Sequence, residues 1–203
     1  MNVRATISKA NRRMPLRLAA TLLAGSSLLA SLLGLFRDRL LNGLYYNTYP
    51  AGIDAYTVAF TIPDFMFFIL VSGALSVTFI PVFNQRLAAG NKKSAWELST
   101  SLLNLLALVT VVTTVLIIIF ADPLVTYIVG PGLDESSRAL AVSMMRVIAI
   151  NPFLFAIATV FSSMQQAVGR FAFFTLAPVL YNIGIIIGAL FFTNGITLFG
   201  WHV

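Results

Sequence analysis

Long apolar runs alternate with short polar links along this chain, and most of the runs are of membrane-crossing length. The first extends over Arg17–Phe36. The second covers Asp54–Phe83, with Pro63 inside it and Pro81 near its end. The third is Ala95–Phe120, the fourth Ser137–Gln166 and the fifth Phe171–Thr193. A run of this kind satisfies its own backbone groups only as a helix, because lipid offers no hydrogen bonds. The pattern therefore predicts an all-α fold, a polytopic membrane helix bundle of about five complete transmembrane helices. The bundle occupies residues 17–203 and follows a basic tail at 1–16. Ile196–Val203 has the look of the opening of a sixth helix.

The links carry the expected punctuation. Asn84–Ser94 is polar, Asp122-Pro123 ends the third run, Gly130-Pro131-Gly132 is a turn, Gly169-Arg170 is a short turn and Asn194-Gly195 is another. Leu124–Val129 is too short to span and reads as interfacial. Small residues recur through the first run, from Ala19 to Gly34, and let a neighbouring helix approach closely. Pro63 predicts a kink in the second run, with Ser72-Gly73 a second soft point. Asn151-Pro152 sits near the middle of the fourth run, and Pro178 and Asn182 lie in the first half of the fifth.

Composition agrees with the pattern. Of 203 residues 59% are hydrophobic and 10% charged, against about 25% charged in soluble domains. The net charge of +6 does not form a nucleic-acid patch, because the basic residues fall in short clusters between the apolar runs. The tail with Arg17 holds five Lys and Arg, the Asn84–Ser94 link three and the fourth-to-fifth turn Arg170. The opposite side holds Arg37, Arg39 and Arg138. This nine-to-three division predicts a cytoplasmic N-terminus. The first run is too long for the core of a signal peptide, so it reads as a retained helix. No cysteine is present, which excludes disulfides and thiolate sites, and the single His202 stands beside the C-terminus.

No nucleophile–base set, zinc motif or phosphate loop occurs, so no enzyme, cofactor or metal site is expected. The informative polar residues are the few at membrane depth. Arg146 lies well inside the fourth run, where a charge must snorkel or face a cavity or counter-charge. Asp54 reads either as its counter-charge or as the N-terminal cap of the second helix. Asp64 reads either as a partner for Arg146 or as a filler of the turn broken by Pro63. Arg37 and Asp38 stand side by side at the end of the first run, ahead of Tyr45, Tyr46 and Tyr49, which suit an interfacial belt.

From Leu33 to Pro81 the residues become specific. L-G-x-x-R-D at Leu33–Asp38, D-A-x-x-V-A-F at Asp54–Phe60, Ile62-Pro63 and G-A-x-S-x-x-F-I-P at Gly73–Pro81 together resemble the first two helices of the MurJ (MviN) family of lipid II flippases. Pro131-Gly132, Arg146 with Pro152, Gly169-Arg170-Phe171 and Ala177-Pro178 with Asn182 resemble later stretches of the family in the same order. The resemblance implies the N-terminal part of a transporter of about fourteen helices, in two pseudo-symmetric halves around a cavity. It implies a lipid-linked cell-wall precursor as substrate, its pyrophosphate held by cationic residues and its tail left among membrane lipids. Arg37, Asp38, Asp54 and Arg146 are the substrate-binding residues so implied, with a C-terminal half or partner subunit completing the path. The chain departs from the family at Ser31, Phe67 and Phe68, where basic residues are usual, at Ser72, where an acid is usual, and at Asp64, where Asn is usual. These departures point to a different substrate or grip, or to a non-transporting partner subunit.

Overall fold

The computed structural model describes residues 15–46, 50–72, 79–192, 197–198 and 201–202. The tail before Pro15, Tyr49, Gly73 and the Asn194-Gly195 turn lie outside the described residues. Helix α1 is Leu16–Tyr45. Helix α2 is Pro50–Phe67, continued by a wide π-type turn over Phe68–Ser72. Helix α3 is Ile80–Ala88, and α4 is Lys92–Leu124 with a second π-type turn over Val125–Val129. Then come α5 (Glu135–Ile148), α6 (Asn151–Ala167) and α7 (Ala172–Phe192). Five segments of the described chain are long and apolar enough to cross a bilayer, namely α1, α2, α4, α5 with α6, and α7. The protein is a multi-pass membrane protein of helical architecture.

Several boundaries differ from those the apolar runs suggest. Helix α1 does not stop at Phe36 but runs nine residues further, so Arg37, Asp38 and Arg39 lie within a helix rather than a loop. Its 30 residues span about 45 Å, more than the roughly 30 Å of hydrocarbon. Apolarity marks where the lipid is. Backbone pairing is indifferent to that limit, and it carries the helix through Asn42-Gly43 to Tyr45. Pro50 in turn opens α2, where its missing N–H goes unneeded. Asp54 is therefore in the second turn of α2 and is not its N-terminal cap.

Asp122-Pro123 does not end the third span either. Helix α4 passes through Pro123 to Leu124, and a π-type turn follows at once. There the Gly130 N–H donates to the Val125 carbonyl at 2.9 Å, one residue wider than α-helical pairing. The fourth span, by contrast, is two helices. The chain leaves helical pairing at Ala149-Ile150, and Pro152 starts α6. The break exposes carbonyl oxygens inside a greasy bundle, and one of them is met by a side chain: the Thr114 hydroxyl of α4 donates to the Ala149 carbonyl at 2.8 Å. Helix α5 itself starts at an Asp134 cap, whose carboxylate accepts from the hydroxyls and backbone N–H groups of Ser136 and Ser137. Those bonds, the Ser136 hydroxyl first, hold the Asp134 carboxyl below the usual carboxylate range.

Where a sixth helix was expected, Thr197–Leu198 and Trp201–His202 instead pair as a two-residue antiparallel ladder, β1 with β2. Thr197 and Trp201 favour extended backbone.

The chain divides into two compact units, residues 1–50 with 169–203, and residues 51–168. The second unit is held by two apolar clusters. Ala55 and Ala59 of α2 meet Ile117 and Ala121 of α4 and Ala141, Met145 and Ala149 at one level. Phe79, Phe83, Ala95 and Leu106 meet Ala156 and Val160 of α6 at the other. Residue numbers rise along α4 as they fall along α5 and α6, so those spans are antiparallel, and α2 is antiparallel to α4 by the same reading. Small buried side chains at these crossings let backbones approach where no hydrophobic effect draws helices together. The turn between α3 and α4 is closed by Gly90 at φ +75°, and by Arg86, whose Nη1 donates to the Ser94 carbonyl at 2.9 Å. In the first unit, contacts of Ala30 and Arg37 with Asn182, and of Tyr45 with Ala189, show that α1 and α7 run in the same direction. First and fifth spans of an alternating chain must do so.

Thr114→Val should keep the shape of this side chain and leave the Ala149 carbonyl unmet, lowering stability by about 1 kcal/mol. Thermal unfolding in detergent checks this, and an unchanged midpoint would mean the bond carries no weight.

Candidate functional site

The polar centre of the first unit is built on α1 and α7. Helix α7 is almost wholly apolar and carries one amide, Asn182, one turn after Pro178. Asn182 is 8% exposed. An amide in hydrocarbon must find partners, and this one has three. Its Nδ2 donates to the Pro178 carbonyl at 2.9 Å and, across to α1, to the Ala30 carbonyl at 3.3 Å. Its Oδ1 accepts from Arg37 Nη1 at 3.1 Å. Gly34 faces this crossing: a Cβ there would stand 3.7 Å from Asn182 Oδ1, in ordinary van der Waals contact.

Arg37 is the charge this amide holds. Successive helix residues point about 100° apart and do not ordinarily meet. The long Arg37 side chain nevertheless bends round, so that Nε and Nη2 both donate to Asp38 Oδ1, at 2.9 and 2.8 Å. The pair is uneven in exposure, the Arg37 side chain at 23% and that of Asp38 at 58%. Three of the five guanidinium N–H groups are committed in this way, and the other two make no hydrogen bond among the described residues. Arg39 on the same helix is exposed.

The second unit holds the other expected residues. Asp54 on α2 and Arg146 on α5 are both exposed, and among the described residues no ion pair joins them to each other or to Asp64. Arg146 stands in the last turn of α5, just before the break at Ala149, where the helix dipole favours a cation. Arg37 and Asp38 are thus brought together and Asp54 and Arg146 are not. Among the described residues no three carboxylate or imidazole side chains gather as metal ligands would.

At the positions where the family resemblance expects charge, the chain builds ordinary helix packing. The Ser31 hydroxyl donates to the Ser27 carbonyl of its own helix at 3.0 Å. The Phe67 ring stands edge-on to Phe155, centroids 5.5 Å apart, and Phe68 is exposed. Asn182 was noted in the sequence only as part of a motif. The signal that singles it out is chemical: it is the one amide in the apolar stretch Ala172–Phe192.

A family model described as lipid II flippase MurJ matches residues 50–200. This chain belongs to the MurJ family. A probable lipid II flippase MurJ of Bdellovibrio bacteriovorus is 32% identical over 184 residues, covering 88% of this chain and 34% of that protein. One of Rickettsia prowazekii is 29% identical over 183 residues, 89% of this chain and 35% of that protein. A lipid II flippase MurJ of Thermosipho africanus is 24% identical over 181 residues, 89% of this chain and 37% of that protein. The chain spans about a third of the length of these MurJ relatives. No solved structure matches it.

The two arginines should differ in what they do for stability. Arg37→Ala leaves the Asn182 acceptor unmet and should cost about 1–2 kcal/mol. Arg146→Ala removes an exposed side chain and should stay within about 0.5 kcal/mol of the unaltered protein. Thermal unfolding of both variants in detergent decides; equal midpoints would contradict the bonding described for Arg37.

Proposed function

We propose that this MurJ-family chain is part of a flippase-type transporter, and not a catalyst, that moves a lipid-linked peptidoglycan precursor across the bacterial inner membrane. The observation that carries the reading is Arg37, a guanidinium fixed on a membrane helix with two N–H groups uncommitted. Arginine binds phosphate through parallel N–H bonds. A pyrophosphate-linked lipid needs such a grip for its head group and none for its tail, which stays in the bilayer. Arg37 with Asp38 in one unit, and Asp54 and Arg146 in the other, are the residues proposed to meet the head group as access alternates between the two sides. The N-terminus is proposed to be cytoplasmic, from the nine-to-three division of Lys and Arg. The relatives are about three times as long, so the five spans are proposed to work with further membrane helices, from a longer chain or a partner subunit.

A second reading is favoured by Phe67 and its packing on Phe155, in a place where the family resemblance expects a basic pair. In that reading the chain exports another lipid-linked or amphiphilic substrate, or serves as a non-transporting subunit.

Complementation separates the two. Expressed at normal level in cells depleted of their own lipid II flippase, the longest reading frame that contains this chain should restore growth. Arg146→Ala should lower that rescue while leaving membrane insertion intact. Correct insertion without any rescue would contradict lipid II transport and support the second reading.

A further inference from the structure

Arg37 is not self-supporting. Its Asp38 partner is on the same helix and mostly exposed, so that pair alone leaves the guanidinium free to swing with the side chain. Asn182 is what ties it to a second helix. The amide cannot be turned over without loss, because flipping would set N–H against N–H at Arg37 and oxygen against oxygen at Pro178 and Ala30. Three partners therefore fix which end of Asn182 faces Arg37. Asparagine is a poor helix former and costly in hydrocarbon, and Leu would fill the same volume in α7. A helix that keeps an amide there gains a fixed acceptor aimed at one charge.

We propose that Asn182 is the positioning residue for Arg37: its Oδ1 holds Nη1 and so aims the two remaining guanidinium N–H groups at a pyrophosphate head group. The inference rests on the reading of Arg37 as a phosphate ligand and adds the residue that orients it. Asn182 does not itself touch the ligand. It acts by removing the rotational freedom that Arg37 would otherwise lose on binding.

The test uses the whole chain in lipid nanodiscs, with two readouts. The first is the side-chain 15N signal of Arg37, read without ligand. Asn182→Ala should shift and broaden it, whereas Asn182→Asp, which keeps an acceptor, should leave it sharp. Broadening in both variants would mean that α1–α7 packing, and not the acceptor, orders Arg37, and would overturn the proposal.

The second readout is affinity for undecaprenyl pyrophosphate and for inorganic pyrophosphate. Asn182→Ala should weaken both about tenfold. In an Arg37→Ala background it should weaken them no further, because a residue that acts through Arg37 has nothing left to act on. Additive losses, or a loss confined to the lipid-borne form, would overturn the positioning role while leaving Arg37 as a ligand. An unchanged affinity in Arg37→Ala, or no binding by the unaltered chain, would overturn the reading of Arg37 and the role of Asn182 with it.

Discussion

Water is absent from the interior of a bilayer, and every polar group placed there must be answered by another part of the protein. That constraint explains the form of this chain more fully than its hydrophobicity does. It makes the spans helical, since only a helix pairs its own backbone within one segment. It also governs each irregularity. The break between α5 and α6 is tolerated because Thr114 meets the Ala149 carbonyl. Past the proline in α4, the wide turn pairs its own backbone, Gly130 N–H to the Val125 carbonyl. The amide of Asn182 is tolerated because it has three partners.

The same constraint makes the polar residues readable as function. Arg37 costs free energy within a membrane helix, and that cost is offset by two partners: Asp38 pairs with its charge and Asn182 accepts from Nη1. What remains is a cation with two donors that make no hydrogen bond among the described residues, the feature on which the proposed grip on a phosphate rests. The second unit supplies a different sort of cation. Arg146 is exposed in the last turn of its helix, beside the break at Ala149.

Much of this was legible in the sequence. Five membrane helices, their alternation and the family follow from the apolar runs, the basic clusters and the ordered motifs. The direction of α1 relative to α7 agrees with the odd-numbered positions of these two spans. Helix ends were not legible from hydropathy, because apolarity reports lipid and not hydrogen bonding. Arg37 and Asp38 therefore looked like loop charges until α1 was seen to run on to Tyr45. Asp122-Pro123 reads as a stop, yet a helix can carry a proline in its last turn, as α4 does before it ends at Leu124. The bond between Arg37 and Asn182 spans 145 residues, and no local pattern could reveal it.

The central claim is that Arg37 itself holds the phosphate. Solid-state NMR can measure the distance between the guanidinium nitrogens of Arg37, labelled with 15N, and the phosphorus atoms of undecaprenyl pyrophosphate bound in nanodiscs. A hydrogen-bonded pair predicts a nitrogen–phosphorus separation of about 4 Å or less. Bound lipid whose phosphorus shows no coupling to Arg37 would contradict the account.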